Sequence, residues 1–385
     1  MPWKAKAPVD LRTEFFARLA KGERMTDLCR EYGISRKNAY KFKSRLDALG
    51  PTGLVDQPRA PLNIPHKTPP EIVELVLETR REHSTWGPKK LKELLERRLG
   101  RSLPSANTIG KILFRAGLVE RRKQRPRYTP RASTLRESTA PNDLWCIDYK
   151  GQFRLGDGTY CYPLTLTDHF SRFILCCQGM GAIDDQRARE ESELAFRTYG
   201  LPMCIRSDNG VPFASTGLHG LTKLSVFWLK LGIQLERIRP AHPEENGRHE
   251  RMHRTLKRET ARPARSNLLQ QQVRFDEFIE EFNHERPHEG LAMQRPADVF
   301  VSSHRPYPAK TEEPTYPTHD DVLRVARQGH ITIGRRSARL SPALGGELVG
   351  IKEEDDGRWL ITFMNIDLGH FQGGSVDALP PPTDQ

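Results

Sequence analysis

The N-terminal part of the chain shows apolar positions at helical spacing. Apolar residues recur every three to four positions after Leu11, and the segment TDLCREYGISRKNAYKFKSRL follows them. In that segment the pattern predicts a helix over 26–32, a tight turn at Gly33 and a second helix over 36–49. This order is typical of a helix-turn-helix unit, which we place at residues 1–58.

A second helical region follows a proline-rich joint. The apolar spacing predicts helices over 71–82, 89–99 and 105–116, and Ser105 has the position of an N-terminal cap. The last two helices indicate a second helix-turn-helix unit, so we predict a second helical domain at residues 66–120.

From residue 142 the apolar pattern becomes typical of strands. Aromatic and β-branched residues predict strands over 144–153, 160–168 and 173–180. Further elements are predicted in alternation: a helix at 185–199, a strand at 203–206, a helix at 218–231, a strand at 234–238, a helix from Gly247 and a helix at 268–285. Such an order predicts an α/β core with a mixed sheet, at residues 141–302.

The C-terminal part begins after a segment with four prolines. Its short apolar stretches HITIG, ELVGIKE and WLITFMN alternate with glycine-containing turns, which predicts a small β-barrel at residues 320–380. The whole chain is therefore predicted to be a multidomain α+β protein.

The net charge of the chain indicates a class of binding partner. Lys and Arg total 61 against 49 Asp and Glu, which gives a formal net charge of +12. A basic chain of this kind most often binds a polyanion such as nucleic acid. The six cysteines form no Cys-x-x-Cys pair, and no run of about 18 apolar residues is present. We expect a cytoplasmic protein that does not bind membranes.

Cations and amides cluster where DNA contacts are expected. The second helix of the first unit carries four residues suited to the major groove and its phosphates: Arg36, Lys37, Asn38 and Lys41. Residues 121–140 are basic and lose the apolar period, which predicts a linker that follows a DNA backbone through Arg121, Arg122 and Lys123. The alternatives are an ordinary helical pair and a solvated spacer.

Acidic side chains occupy two predicted strand ends. Asp148 lies in LWCIDYKG, and Asp208 follows CIRS and precedes an Asn-Gly turn. The downstream segment RPAHPEENGRHERMHRTLK adds three glutamates, Glu244, Glu245 and Glu250. Because carboxylates held close together repel one another, divalent ions that prefer oxygen ligands are the simplest reason to build such a cluster.

The same segment permits a zinc interpretation. His249 and His253 flank Glu250 in His-Glu-Arg-Met-His, a spacing typical of zinc metallopeptidases. Candidates for a third ligand are Glu277, Glu280 and Glu281. This interpretation leaves the two aspartates and the N-terminal cations unexplained.

Four motifs carry a family resemblance. IDYKG, SDNGVPF, RPAHPEENGRHERMHRTLK and NHERPHEGLAMQRPADVF occur in this order over roughly residues 140–300. In this order they resemble bacterial insertion-sequence transposases whose catalytic core is shared with retroviral integrases. The resemblance implies a ribonuclease H-like core and an Asp-Asp-Glu triad that binds two Mg²⁺ or Mn²⁺ ions. It also implies cleavage of element ends in double-stranded DNA, transfer of the cut strand into target DNA, and a homo-oligomer on DNA.

The triad is carried over by motif. Asp148 and Asp208 match the two aspartates, and Glu250 matches the glutamate three residues after Gly247. Arg254 and Lys257, one and two turns beyond Glu250, are then placed at phosphates of the bound end.

Two departures from the family pattern remain. Glu244, rather than Glu250, meets the shorter spacing that is usual between the second and third acids, so it stays an alternative. The His-His-Cys-Cys zinc unit of retroviral integrases is missing, and helix-turn-helix units stand in its place. A DNA-binding regulator with an inactive core is the alternative function.

Overall fold

The chain forms two compact units, Met1–Pro69 and Pro70–Gln385. The computed structural model describes residues 7–57, 67–119, 135–239, 242–354 and 357–379. All six cysteines are free thiols. No helix in these residues is both long enough and apolar enough to span a bilayer.

The first unit is helical, as predicted. Its helices are α1 (Pro8–Ala20), α2 (Met25–Glu31) and α3 (Arg36–Leu49), followed by a 3-10 turn at Gly50–Leu54. The Ser35 hydroxyl accepts a hydrogen bond from the backbone N–H of Asn38 at 3.3 Å, which satisfies an amide at the start of α3 that has no partner within the helix. Gly33 turns the chain before α3 with a φ of +64°.

Three helices open the second unit. They are α4 (Pro70–Glu82), α5 (Pro88–Leu99) and α6 (Ala106–Arg115). Ser105 caps α6 by accepting from the backbone N–H of Thr108 at 3.2 Å, as predicted. Trp86 and Leu91 are fully buried between these helices.

The central region is a six-stranded sheet with helices on both faces. Its elements are β1 (Leu144–Tyr149), β2 (Phe153–Arg154), β3 (Tyr160–Asp168), β4 (Ile174–Met180), α7 (Asp185–Tyr199), β5 (Cys204–Ser207), α8 (Lys223–Lys230), β6 (Gln234–Arg237), α9 (Gly247–Thr260), α10 (Leu268–Glu280) and α11 (Pro296–Val299). β3 pairs antiparallel with β1, β2 and β4, whereas β1, β5 and β6 are parallel neighbours. The predicted mixed sheet is therefore confirmed.

Two predicted elements are divided in the structure. The helix expected over 218–231 is a 3-10 turn at Leu218–Gly220 followed by α8. The break follows from a left-handed backbone at His219 and from Thr222, which begins a new helix through a reciprocal capping interaction with Ser225. The strand expected over 144–153 is likewise divided into β1 and β2.

The C-terminal strands form an open sheet, so the predicted barrel is not confirmed. The strands are β7 (Asp321–Arg324), β8 (His330–Ile333), β9 (Arg336–Arg339), β10 (Leu348–Glu353), β11 (Trp359–Phe363), β12 (Ile366–Gln372) and β13 (Ser375–Ala378). Five of them pair in the order β13-β12-β11-β10-β7, and β8 and β9 form a separate hairpin. Leu221, Val226 and Leu229 from the central region join the apolar cluster of this sheet. The apolar residues of this sheet are therefore buried without the sheet closing into a barrel.

A buried ion pair joins β5, β6 and the start of α9. The Arg206 Nε donates to the Glu236 carboxylate at 2.6 Å, and both side chains are less than a tenth exposed. The same guanidinium donates to the backbone oxygens of Arg136 at 2.7 Å and Glu245 at 3.2 Å. Since Glu245 lies two residues before α9, this cation fixes the start of that helix relative to the strands.

We expect Arg206→Met to lower the free energy of unfolding by about 3–5 kcal/mol, because it leaves the Glu236 carboxylate buried without its cation. The double variant Arg206→Met/Glu236→Met should recover most of this loss, since it removes the uncompensated charge. Urea unfolding at pH 7 measures both effects. A loss below about 1 kcal/mol in the single variant would show that water reaches the pair.

Candidate active site and cationic cleft

The two aspartates lie at the same end of neighbouring parallel strands. Asp148 is near the end of β1, and Asp208 directly follows β5. The β1–β5 ladder pairs Cys146 with Arg206, two residues before each aspartate. Asp208 accepts a hydrogen bond from the Gly210 backbone N–H at 3.0 Å, so its side chain is held in the turn that leaves the strand.

Glu250 lies on α9, and the carboxylates of Asp148, Asp208 and Glu250 do not all lie within 4.8 Å of one another in the structure. The buried face of α9 consists of His249, Met252, His253, Leu256 and Thr260. Glu250 lies outside this face and is exposed.

The surroundings of Asp148 disfavour its ionised form. Burial, the charge of Asp208 and the charge of Glu250 raise the pKa of Asp148 from 3.8 to about 7, and Lys150 opposes this shift. A proton or a bound cation at Asp148 therefore stabilises this part of the fold.

Two histidines of α9 lie behind Asp148 in a buried network. The Thr165 hydroxyl is 2.8 Å from His249 Nε2 and 2.6 Å from His253 Nε2. His249 Nδ1 is 2.7 Å from the Thr167 hydroxyl, and His253 Nδ1 is 3.6 Å from the Asp148 carboxylate. Burial lowers the pKa of His249 to about 3 and that of His253 well below its usual value. Both imidazoles are therefore neutral.

The predicted zinc ligand set, His249 and His253 with Glu277, Glu280 or Glu281, does not form among the described residues. In this part of the chain the group that could hold a metal through three His, Cys, Asp or Glu side chains is Asp148, His249 and His253. None of the three candidate glutamates joins it. One of them, Glu281, lies 3.2 Å from His83 Nδ1 instead.

Glu244 was the alternative for the third acid. The side chain of Glu244 lies outside the described residues. Its neighbour Glu245 is buried and accepts from Arg239 Nε at 2.6 Å, so this carboxylate is part of a structural ion pair.

The residues predicted to contact DNA lie in separate parts of the chain. Four exposed side chains lie on α3: Arg36, Lys37, Asn38 and Lys41. Arg254 and Lys257 are exposed on α9. The predicted linker contacts Arg121, Arg122 and Lys123 lie outside the described residues.

A large cleft lies between the α4–α6 region and the central region. Its volume is about 800 Å³. Thr85 accepts from Arg258 at 3.2 Å, and Lys89 pairs with Glu289 at 2.8 Å, so contacts join the two regions around the cleft. The lining contains eight cationic side chains, Arg80, Lys90, Arg172, Arg248, Arg251, Arg254, Arg258 and Arg286, but only two acidic ones, Asp168 and Glu289.

Positive charge in this cleft is poorly compensated. Burial and the charge of Arg286 lower the pKa of Lys90 to about 7. Burial and the charges of Arg248 and Arg251 lower the pKa of Arg172. Among the described residues, the cleft cations with a carboxylate at salt-bridge distance are Arg286 and Arg258, which lie 2.9 Å and 3.8 Å from Glu259. Such a cleft is suited to a polyanion.

Most cleft residues were not predicted from the sequence. Arg248, Arg251 and Arg258 recur at helical spacing along α9, and this stripe was a usable signal. Lys90, in contrast, comes from α5, far from α9 in the sequence, and nothing in its local sequence indicates that it lines the same cleft.

Comparisons with known families agree with this architecture. Integrase core domain families match residues 138–243 and 231–296. A helix-turn-helix domain matches residues 11–61, and a homeodomain-like domain matches residues 38–113.

Individual relatives cover different shares of the chain. An insertion element IS407 uncharacterized 31.7 kDa protein from Burkholderia multivorans is 26% identical over 239 residues, which is 61% of this chain and 80% of that protein. A Gag-Pol polyprotein from baboon endogenous virus is 28% identical over 171 residues, which is 44% of this chain and 9% of the polyprotein. Among solved structures, the HTLV-2 integrase catalytic core domain in complex with magnesium is 15% identical, with a TM-score of 0.34, and the match covers 42% of this chain and 99% of that one.

The matched domains define the broad class of the protein. An integrase core domain indicates an enzyme of the polynucleotidyl-transferase type, and helix-turn-helix domains indicate DNA binding. The chain is similar to bacterial insertion-sequence transposases, with helix-turn-helix domains ahead of an integrase core domain.

Proposed function

We propose that the protein is a DNA transposase that cuts the ends of its own element and joins them to target DNA. Asp148, Asp208 and Glu250 are the proposed catalytic residues. The observation that carries the proposal is that the parallel strands β1 and β5 bring Asp148 and Asp208 to the same end of the sheet, where burial and then the charges of Asp208 and Glu250 raise the pKa of Asp148 to about 7.

The donor set fits divalent metal ions. Carboxylate oxygens are the preferred ligands of Mg²⁺ and Mn²⁺, and a cluster whose negative charges oppose one another gains stability when cations bind. Two such ions, when bound, would activate the attacking oxygen and stabilise the leaving oxygen of an in-line phosphoryl transfer. In this proposal Asp148 would contribute to both ion sites, and Asp208 and Glu250 would each complete one.

The chain's own residues hold and orient the DNA in this proposal. The cations of the cleft bind the phosphate backbone, and the exposed residues of α3 contact a second segment of DNA, at the element end. Arg254 contributes to the cleft, and it lies one turn beyond Glu250. Backbone phosphates held in the cleft are thereby brought toward the carboxylates. Joining two ends calls for at least a dimer on DNA.

Removal of one carboxylate should separate catalysis from binding. With Mg²⁺ and a labelled duplex of the element terminus, Asp148→Asn, Asp208→Asn and Glu250→Gln should each reduce strand cleavage and transfer on the order of a thousandfold. DNA affinity in a gel-shift assay should change little.

Glu244→Gln is the matched control, and it should retain activity. Loss of activity in that variant with retention in Glu250→Gln would assign the third acid to Glu244. Binding without cleavage by the unaltered protein would favour the DNA-binding regulator. Casein hydrolysis abolished by a zinc chelator would favour the peptidase.

Without metal, Asp148→Asn should stabilise the protein at high pH. Between about pH 4 and 7 the folded state binds more protons than the unfolded state, so stability falls as the pH rises, by about 1.4 kcal/mol per pH unit. We expect a gain of about 2–4 kcal/mol in the variant at pH 8, and the gain should shrink toward pH 4. Urea unfolding in EDTA measures the difference.

Asp184→Asn provides the control for this stability measurement. Asp184 is an exposed N-cap of α7 that accepts from the Arg187 backbone N–H, and asparagine caps equally well. The difference in unfolding free energy between Asp184→Asn and the unaltered protein should be the same at every pH. A pH-independent gain in Asp148→Asn would refute the electrostatic explanation.

Charge removal in the cleft should weaken DNA binding in a salt-dependent manner. For Arg251→Ala/Arg254→Ala we expect the slope of log affinity against log salt to become shallower by about 2, because each lost phosphate contact contributes about 1. Fluorescence anisotropy with a labelled duplex measures the slope. Arg187→Ala/Arg197→Ala on α7, against the opposite face of the sheet, should leave it unchanged. Equal slopes in all proteins would mean that DNA does not occupy the cleft.

A further inference from the structure

The Thr165 hydroxyl determines which nitrogen of His253 carries the proton. Besides the two imidazole contacts, this hydroxyl lies 3.1 Å from the backbone oxygen of Asp148. A hydroxyl donates one hydrogen bond and accepts two, and a carbonyl oxygen can only accept. All three bonds form together only if Thr165 donates to Asp148 while His249 and His253 each donate from Nε2.

This arrangement leaves a lone pair on His253 Nδ1. The atom lies 3.6 Å from Oδ2 of Asp148, which also carries lone pairs. Two acceptors in a buried site repel one another unless a cation or proton lies between them. The corresponding Nδ1 of His249 is not free, because it lies 2.7 Å from the Thr167 hydroxyl.

The separation suits a shared metal ion. Ligand atoms that each lie about 2.1 Å from one ion are about 3–4 Å apart at ordinary coordination angles. His253 Nδ1 and Asp148 Oδ2 meet this condition without movement of α9.

We propose that His253 Nδ1 is a ligand of one divalent ion, together with Asp148, and that this nitrogen makes the site prefer Mn²⁺ to Mg²⁺. Mg²⁺ strongly favours oxygen ligands, whereas divalent transition-metal ions, Mn²⁺ among them, accept an imidazole nitrogen more readily. The inference rests on the metal site in the proposed function, and adds a ligand that the carboxylate triad does not include.

Pulsed electron paramagnetic resonance of bound Mn²⁺ tests this directly, without DNA and without turnover. The full-length protein with one equivalent of Mn²⁺ should show a coupling to ¹⁴N. Labelling the histidines with ¹⁵N should replace that coupling by the ¹⁵N pattern. This measurement requires no substitution, so it stands even if a variant fails to fold.

Variants then identify the histidine. His253→Asn and Asp148→Asn should each abolish the nitrogen coupling, and His253→Asn should weaken Mn²⁺ binding by on the order of tenfold with a smaller effect on Mg²⁺. His284→Asn is the control, because His284 is a half-exposed histidine 3.9 Å from the Glu280 carboxylate and could bind Mn²⁺ adventitiously. It should retain the coupling.

Two results would overturn the inference. One is Mn²⁺ binding that depends on Asp148 but shows no nitrogen coupling, which would leave the proposed transposase activity intact and place a proton between the two side chains. The other is a nitrogen coupling that persists in His253→Asn. Failure of the proposed function would instead appear as absent strand cleavage, whatever the resonance shows.

Discussion

The parallel pairing of β1 with β5 is the constraint on which the rest of the site depends. It brings Asp148 and Asp208 to one end of the sheet although 59 residues separate them in the sequence (149–207). Strand pairing alone cannot bring in the third carboxylate, which comes from α9. That helix is held by the buried Arg206, whose guanidinium reaches the backbone just before it. A cation in the core thus helps to position an anion at the surface.

Helix α9 combines three environments through its periodicity. His249, Met252 and Leu256 pack against the sheet, whereas Glu250 lies outside this buried face and is exposed. Arg251 and Arg258 lie on the remaining side and line the cleft. Because a helix turns by about 100° per residue, opposite charges can be close in sequence and still serve separate sites. The carboxylates, which attract cations, and the cleft, which attracts anions, therefore both use residues of α9.

The sequence predicted the helices and strands better than the way in which they are interrupted and packed. Ser35 and Ser105 marked helix starts correctly, because capping is a local interaction. The break before α8 was missed, since it depends on a left-handed His219 that no pattern of apolar residues reveals. The barrel was predicted from strands alone, whereas the sheet is open because Val226 and Leu229 from a distant helix cover part of it. The candidate site was likewise predicted only in part. The motifs indicated which acids to examine, but the buried threonine and histidine network arises from contacts between β3 and α9 and has no local signature.

The open C-terminal sheet leaves two terminal strands, β7 and β13, with backbone groups that a closed barrel would have paired. Such edges invite strand addition from another molecule. Both strands are only four residues long, and they carry Asp321, Arg324 and Asp377. Short, charged edges of this kind disfavour intermolecular β-pairing, so the open sheet is protected from aggregation through its two terminal strands.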